Sequence, residues 1–244
     1  MSEEKNKMAE TMNSKDDICI VEIKELWKSY QSGEETIHAL RSVDLNINDG
    51  DFLCIMGESG AGKSTLLSIL GGLNHPSKGK VIVDEIDIYS LTHEQIATYR
   101  SEYLGFVFQS FNLVPYLTVL ENVMLPLAIS DLKKRGKEER AVTSLERVGL
   151  KKKIYRLPDQ LSGGEQERVA VARAIVNKPP IILADEPTGN LDTKTSREIM
   201  ELFSGLNNER QTIIMVTHNP DNTKYANKKI VLNDGKVVNG ADKT

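Results

Sequence analysis

Apolar and polar residues follow two different periods along this chain, and the switch between them marks out its architecture. In residues 18–26, Val21, Ile23 and Glu25 alternate with Ile20, Glu22 and Lys24, the two-residue period of a strand. Trp27 and Tyr30 follow, then a polar turn at 31–35. A second strand is expected through 36–40, and 43–47 alternates cleanly. Residues 79–88 read as a further hairpin strand, so an antiparallel β subdomain is predicted near the N-terminus. The runs 51–56, 105–108, 181–184 and 212–217 are of another kind. They are short, unbroken in apolar character and bounded by turn residues, as strands buried on both faces are.

The helical period appears between these runs. Leu66, Ile69, Leu70 and Leu73 make one face of a helix that should end near Gly71-Gly72. A short helix is expected over 91–99. Across 117–157, Val119, Val123 and Leu127, then Ala141, Leu145 and Val148, predict a helical subdomain inserted at about 110–160. The basic run Lys133-Lys134-Arg135-Gly136-Lys137 reads most simply as a solvated loop within it, with phospholipid head groups or a partner as other uses. Val169, Ala172 and Val176 mark another helix, and Ile199, Leu202, Phe203 and Leu206 the next. A hairpin around Asn233-Asp234-Gly235 closes the chain. One domain over 18–240 is expected, with disordered tails at 1–17 and 241–244.

Composition narrows the class. Of 244 residues, 39% are hydrophobic and 27% charged, and the net charge is −4, which argues against a nucleic-acid binder. No apolar run reaches the roughly 18–20 residues a membrane span needs. The first 17 residues lack the apolar region of a secretory signal. Cys19 and Cys54 lie in separate strands and read as small core residues of a reduced compartment. A cytosolic location is expected.

The chemistry centres on Gly57-Glu58-Ser59-Gly60-Ala61-Gly62-Lys63-Ser64-Thr65, a G-x-x-x-x-G-K-[ST] stretch between a strand and a helix. Its glycines let successive N–H groups point into one concavity, which suits phosphate oxygens. A helix start contributes only about 0.3–1 kcal/mol, up to ~2 when partly buried, too little to hold a triphosphate. Lys63 therefore supplies the full charge, and the Ser64 hydroxyl suits Mg²⁺. The run 181–184 delivers Asp185 and Glu186 at the carboxyl end of a parallel strand, where such sheets bind ligands. Asp185 can hold Mg²⁺ and Glu186 can deprotonate water. Gln109 and His218 end neighbouring strands at the same face, so His218 can reach a γ-phosphate. Tyr30 offers a ring for adenine, strand packing being the plainer alternative. Ser162 with Glu165 forms a capping box, which does not explain Gly163-Gly164. Those two glycines indicate close approach of a backbone or a phosphate, and this second cradle has no lysine. It suits a nucleotide held mainly by another copy of the chain.

In this order the motifs resemble the nucleotide-binding subunits of ATP-binding cassette (ABC) transporters, over about residues 18–240. Tyr30 falls at the A-loop, 57–65 at Walker A, Gln109 at the Q-loop and 161–165 at the signature. Residues 181–186 fall at Walker B, 190–192 at the D-loop and His218 at the H-loop. The stretches 106–115, 117–127 and 184–192 are most similar to the lipoprotein-release and macrolide-export branch; the cell-division branch fits 109–127 less well. The resemblance implies an α/β P-loop NTPase fold with a RecA-like core, carrying the β subdomain and the helical insertion. It implies an ATPase whose head-to-tail homodimer holds two ATP, with Gln109 also near the Mg²⁺. Each ATP would lie between Lys63 of one copy and Ser162, Gly163 and Gly164 of the other. It further implies an integral-membrane permease partner that seats a helix near Gln109 and keeps the subunit on the cytoplasmic face. A soluble ABC ATPase of DNA or the ribosome is the alternative; the single cassette, modest insertion and two separated cysteines fit it poorly. Glu165 and Glu167 stand where that branch usually has glutamine; the added charge beside a phosphate cradle can weaken closure, although other ABC families carry glutamate at the first position.

Overall fold

The computed structural model describes residues 18–242, and both the predicted 1–17 tail and residues 243–244 lie outside them. Two sheets and the helices enclose two apolar clusters, one on each face of the second sheet. The first orders its strands β2 (Glu35–Asn48), β1 (Cys19–Ser32), β4 (Lys78–Val83) and β5 (Ile86–Asp87), all antiparallel. β1 and β2 are single long strands, not broken ones. β1 carries a bulge at Glu25, whose φ is 45°, so the buried series runs Val21, Ile23, Leu26 and leaves Glu25 outside. Ser42, at φ 52°, bridges the two halves predicted for β2. Trp27 and Tyr30 are strand residues of β1.

The second sheet is the platform for the site. Its order is β10 (Lys236–Asp242), β9 (Lys228–Asn233), β3 (Phe52–Met56), β8 (Thr212–Thr217), β7 (Ile181–Asp185) and β6 (Leu104–Phe108). β9, β3, β8, β7 and β6 are parallel, with β10 antiparallel at the edge. The unbroken apolar runs are explained by their two faces. Leu53, Ile55, Leu183, Ile214 and Val216 pack towards α1 (Lys63–Leu70) and the first sheet. Cys54, Val107, Ile182, Ala184, Ile213 and Met215 pack on the other side, against the helices. Those helices are α3 (Val119–Met124), α4 (Lys134–Arg147), α5 (Gly163–Ile175) and α6 (Thr193–Asn208); α2 (His93–Tyr103) lies outside β6.

Four local expectations change. Leu73 lies past the end of α1 and is 55% exposed, because Gly71-Gly72 stops the helix one turn short. Cys19 is exposed at the start of β1, and only Cys54 is in the core. The basic run 133–137 is no loop: Lys133 is the N-cap of α4 and the next four residues form its first turn, without a side-chain cap. β10 continues to Asp242, two residues into the predicted C-terminal tail.

Candidate functional site

The ends of β6, β7 and β8, the loop after β3 and the start of α1 enclose a cleft of about 590 Å³. It is lined by Ala39, by Ser59, Gly60, Gly62, Lys63, Ser64 and Thr65, and by Gln109, Asp185, Glu186 and His218. The loop 57–62 is held so tightly that side chains are excluded at two points. A Cβ on Gly57 would stand 2.3 Å from the Leu232 carbonyl oxygen, and one on Gly62 2.3 Å from that of Ala39. A Cβ added at Gly60 would meet nothing within 4 Å, so the loop is open on the cleft side. Gly62 caps α1 without any side-chain acceptor, leaving the first N–H groups of the helix for a ligand.

Lys63 is 8% exposed, and its Nζ donates to the carbonyls of Gly57 at 2.7 Å and Glu58 at 3.0 Å. The loop thus parks its own ammonium group where an anion would be received. The Ser64 hydroxyl donates to Asp185 Oδ1 at 3.2 Å, and burial raises the Asp185 carboxyl above its usual range, partly offset by that bond. A hydroxyl and a carboxylate in contact, with an open phosphate cradle beside them, form a donor set that fits Mg²⁺.

Glu186 follows β7 in the left-handed region, at φ 50°. Its backbone N–H donates to Val216 and its carbonyl accepts from Gly189, which fixes the turn. The side chain, 13% exposed, is met by His218 twice: Nδ1 lies 3.0 Å and the backbone N–H 3.2 Å from Oε2. Thr188 is tied to the end of β8 by buried Asn222, whose Nδ2 donates to Thr188 Oγ1 at 2.9 Å and to Thr217 Oγ1 at 3.1 Å. Gln109 has its backbone carbonyl held by Asn190 Nδ2 at 2.9 Å. Its amide nitrogen lies over Gly189, where a Cβ would come within 2.9 Å of it.

The structure therefore brings together Lys63, Ser64, Thr65, Gln109, Asp185, Glu186 and His218. It leaves two predicted groups apart. Tyr30 is 40% exposed and does not line the cleft; Asn74 Nδ2 donates to its hydroxyl at 2.6 Å, and Lys28 Nζ lies 4.9 Å from its ring centroid. Ser162 and Gly163 are exposed at the start of α5, also outside the cleft. Gly164 is buried, since a Cβ there would meet Thr195 Cγ2 at 2.2 Å, so helix packing within the chain explains that glycine. A Cβ on Gly163 would meet Leu191 Cδ2 at 3.4 Å and Phe111 Cζ at 4.0 Å, ordinary contacts that leave room for it.

Glu165 and Glu167 find different surroundings within one copy. Glu165 pairs with Lys153 and accepts from Ser162 N–H, which lowers its pKa. Glu167 is turned inward and fully buried. Neither places a free carboxylate at the cradle. Sequence reasoning missed Ala39, Asn222 and Arg173. An asparagine in a loop and an arginine on a helix carry no motif, and only the fold shows what they hold.

Strand, open phosphate loop, helix and a paired carboxylate–imidazole at adjoining strand ends define a P-loop nucleotide hydrolase. The family described as ABC transporter matches residues 40–189, and the chain belongs to it. The macrolide export ATP-binding/permease protein MacB of Chlorobium phaeobacteroides is 48% identical over 219 residues, covering 90% of this chain and 33% of that protein. The lipoprotein-releasing system ATP-binding protein LolD of Syntrophus aciditrophicus is 44% identical over 220 residues, covering 90% of this chain and 99% of that one. The dimeric structure of the ABC transporter cassette MJ0796, from Methanocaldococcus jannaschii, superposes with a TM-score of 0.84 at 44% identity, over 91% of this chain and 98% of that one. The same cassette is known in a post-hydrolysis state bound to ADP and Pi. This chain is an ATP-binding and ATP-hydrolysing subunit of a transporter.

Proposed function

We propose that two copies of this chain close head-to-tail on two ATP and drive an integral-membrane permease of the LolD/MacB type from the cytoplasmic face. One observation carries the reading. The cleft gathers the residues suited to phosphate, metal and water except Ser162 and Gly163, which stand exposed elsewhere; Ser162 caps its own helix, while the nearest groups to a Cβ at Gly163, Leu191 and Phe111, leave room for one, so packing within one copy does not call for that glycine. In the closed dimer Lys63 and the 57–62 amides hold the outer phosphates, while the partner copy's α5 start completes the pocket. Lys63 leaves the Gly57 and Glu58 carbonyls as phosphate oxygens take their place. Mg²⁺, when bound, would neutralise phosphate charge, held by Ser64 and Asp185 with Gln109 beside them. Glu186 takes the proton of the attacking water, aimed by His218, which also faces the γ-phosphate. Tyr30 turns its ring from Asn74 to the adenine.

The permease contact is proposed for a groove of about 480 Å³ beside Gln109, in which Leu73, Phe106, Phe108, Leu125 and Ile129 are met by Arg100 and Arg173. Leu73, Leu125 and Ile129 are 55%, 42% and 74% exposed, an apolar patch that a helix of a partner would cover. Among the described residues no helix is long and apolar enough to cross a membrane. The separate permease is what places the subunit there.

Changing Glu186 to Gln keeps the pocket's shape and removes its base. Turnover should fall by at least about 10²-fold, and size-exclusion with ATP and Mg²⁺ should show a dimer absent without nucleotide. A monomer under all conditions defeats the proposal.

A further inference from the structure

Glu167 is the anomaly of the core. It is 0% exposed, and neither carboxyl oxygen has a hydrogen-bond partner among the described residues. Natural interiors rarely leave such a group orphaned without a use. Its position follows from packing. α5 leads into β7, which is parallel to β6, so the helix runs opposite to both. Ala174 lies against Gly105 of β6, where an added Cβ would be 2.3 Å from the Ala174 carbonyl. Glu167 lies on the same face two turns earlier, about 10.5 Å along the helix, or about three strand residues. That is level with the end of β6, where the loop bearing Gln109 begins.

The elements packed on α5 bring little charge to this point. β6 has none. Glu121 of α3 is spent on its own N-cap, Thr118. α4 turns Ala141, Ser144 and Leu145 inward, and Glu198 of α6 pairs with Arg168. Among the described residues, the one cation acting on Glu167 is Arg173. Its guanidinium is already engaged, donating to the carbonyls of Asn112 at 2.5 Å and Phe111 at 2.7 Å. Phe111 and Asn112 are consecutive left-handed residues, at φ 59° and 50°, so this clamp holds a strained loop next to Gln109. Burial, opposed only by Arg173, lifts the Glu167 carboxyl to about 8.

We propose that Glu167 is a positioning residue for Gln109: while its carboxyl is neutral, Arg173 stays on the loop carbonyls, and loss of the proton draws Arg173 away and slackens the loop. The proton goes to solvent and nothing else is consumed. A buried carboxylate is a stronger acceptor for guanidinium than two neutral carbonyls are. The inference rests on the proposed role of Gln109.

The test is steady-state ATP hydrolysis by the full chain at pH 7 and pH 9, well below melting. In the unaltered chain kcat should fall about 3–10-fold while KM for ATP stays within about 2-fold, since the loop serves the chemical step. In E167Q, which cannot ionise, the ratio of kcat at the two pH values should stay near one. Infrared spectra should show a protonated buried carboxyl at pH 7 that is absent from E167Q. R173K loses the planar fork and should have the lower kcat at both pH values; if it does not fold, the E167Q comparison decides. Equal pH ratios in the unaltered chain and E167Q, with Q109A impaired, overturn the role of Glu167 alone. A Q109A chain with full kcat overturns the role of the loop and this proposal with it.

Discussion

A buried carboxyl without a partner costs the fold something, and the sign of that cost with pH is fixed. The folded pKa of Glu167, about 8, lies above its ordinary value of 4.5. The folded state therefore holds a proton that the unfolded chain gives up. The associated stability is complete below pH 4.5 and is lost as pH rises towards 8. E167Q should melt higher than the unaltered chain by an increment that grows across this window, to roughly 2–5 kcal/mol at its top. Thermal unfolding at pH 5 and pH 8 measures it; a constant increment would mean that Glu167 is ionised in the fold. The inward turn of this residue was not legible in the sequence. One-letter context placed it beside the cradle with Glu165, while the helical angle, which only the packed structure settles, separates the two. Residues defined by a motif were legible, because Lys63, Ser64, Asp185, Glu186 and His218 each sit where a strand or helix end must deliver them. The exposure of Tyr30 and Cys19 was not, because β1 runs on through both and its bulges decide which of its residues are covered.

Elements were read well wherever burial on two faces or a clean helical period decided them. Four of the five parallel strands and the buried faces of α3 and α4 follow directly from apolar spacing, whereas 228–233 was legible only as one arm of the closing hairpin and its parallel pairing with β3 was not. Errors arose where a single residue resets the phase, at Glu25 in β1, and where Gly136 made a helical first turn look like a loop. The start of α5 shows how one element serves two demands. Ser162 and Glu165 cap it reciprocally, and Gly164 lets α6 come close. Replacing Gly164 by Ala gains helix propensity of up to about 1 kcal/mol, but contact with Thr195 Cγ2 costs about 1–3 kcal/mol. The clash wins, so G164A should lower stability. Thr195→Ser deletes that methyl and keeps the hydroxyl that donates to Asp192. In a T195S background G164A should therefore become neutral or stabilising. Denaturant midpoints of the four chains test this reversal, and additivity within about 0.5 kcal/mol would show that the two residues do not meet.

At the scale of the whole molecule, the proposed closure would put nucleotide capture and dimerisation on separate surfaces. Lys63 lies in the cleft of one copy; Ser162 lies on an exposed helix start that lines no part of it. A defect at either should abolish closure, but only the first should abolish capture. In an E186Q background, K63A should lose binding of a fluorescent ATP analogue and also the nucleotide-dependent dimer. S162E should bind the analogue with an affinity within about 3-fold of the parent, because a change at a distant surface leaves capture energetics nearly intact. Yet S162E should remain monomeric in size-exclusion, since a carboxylate there faces the phosphates of the partner copy's nucleotide. Loss of capture in S162E would place Ser162 in its own cleft and contradict the geometry. A stable S162E dimer would move the seam elsewhere on the molecule, and the open face of Gly163 would then need another occupant.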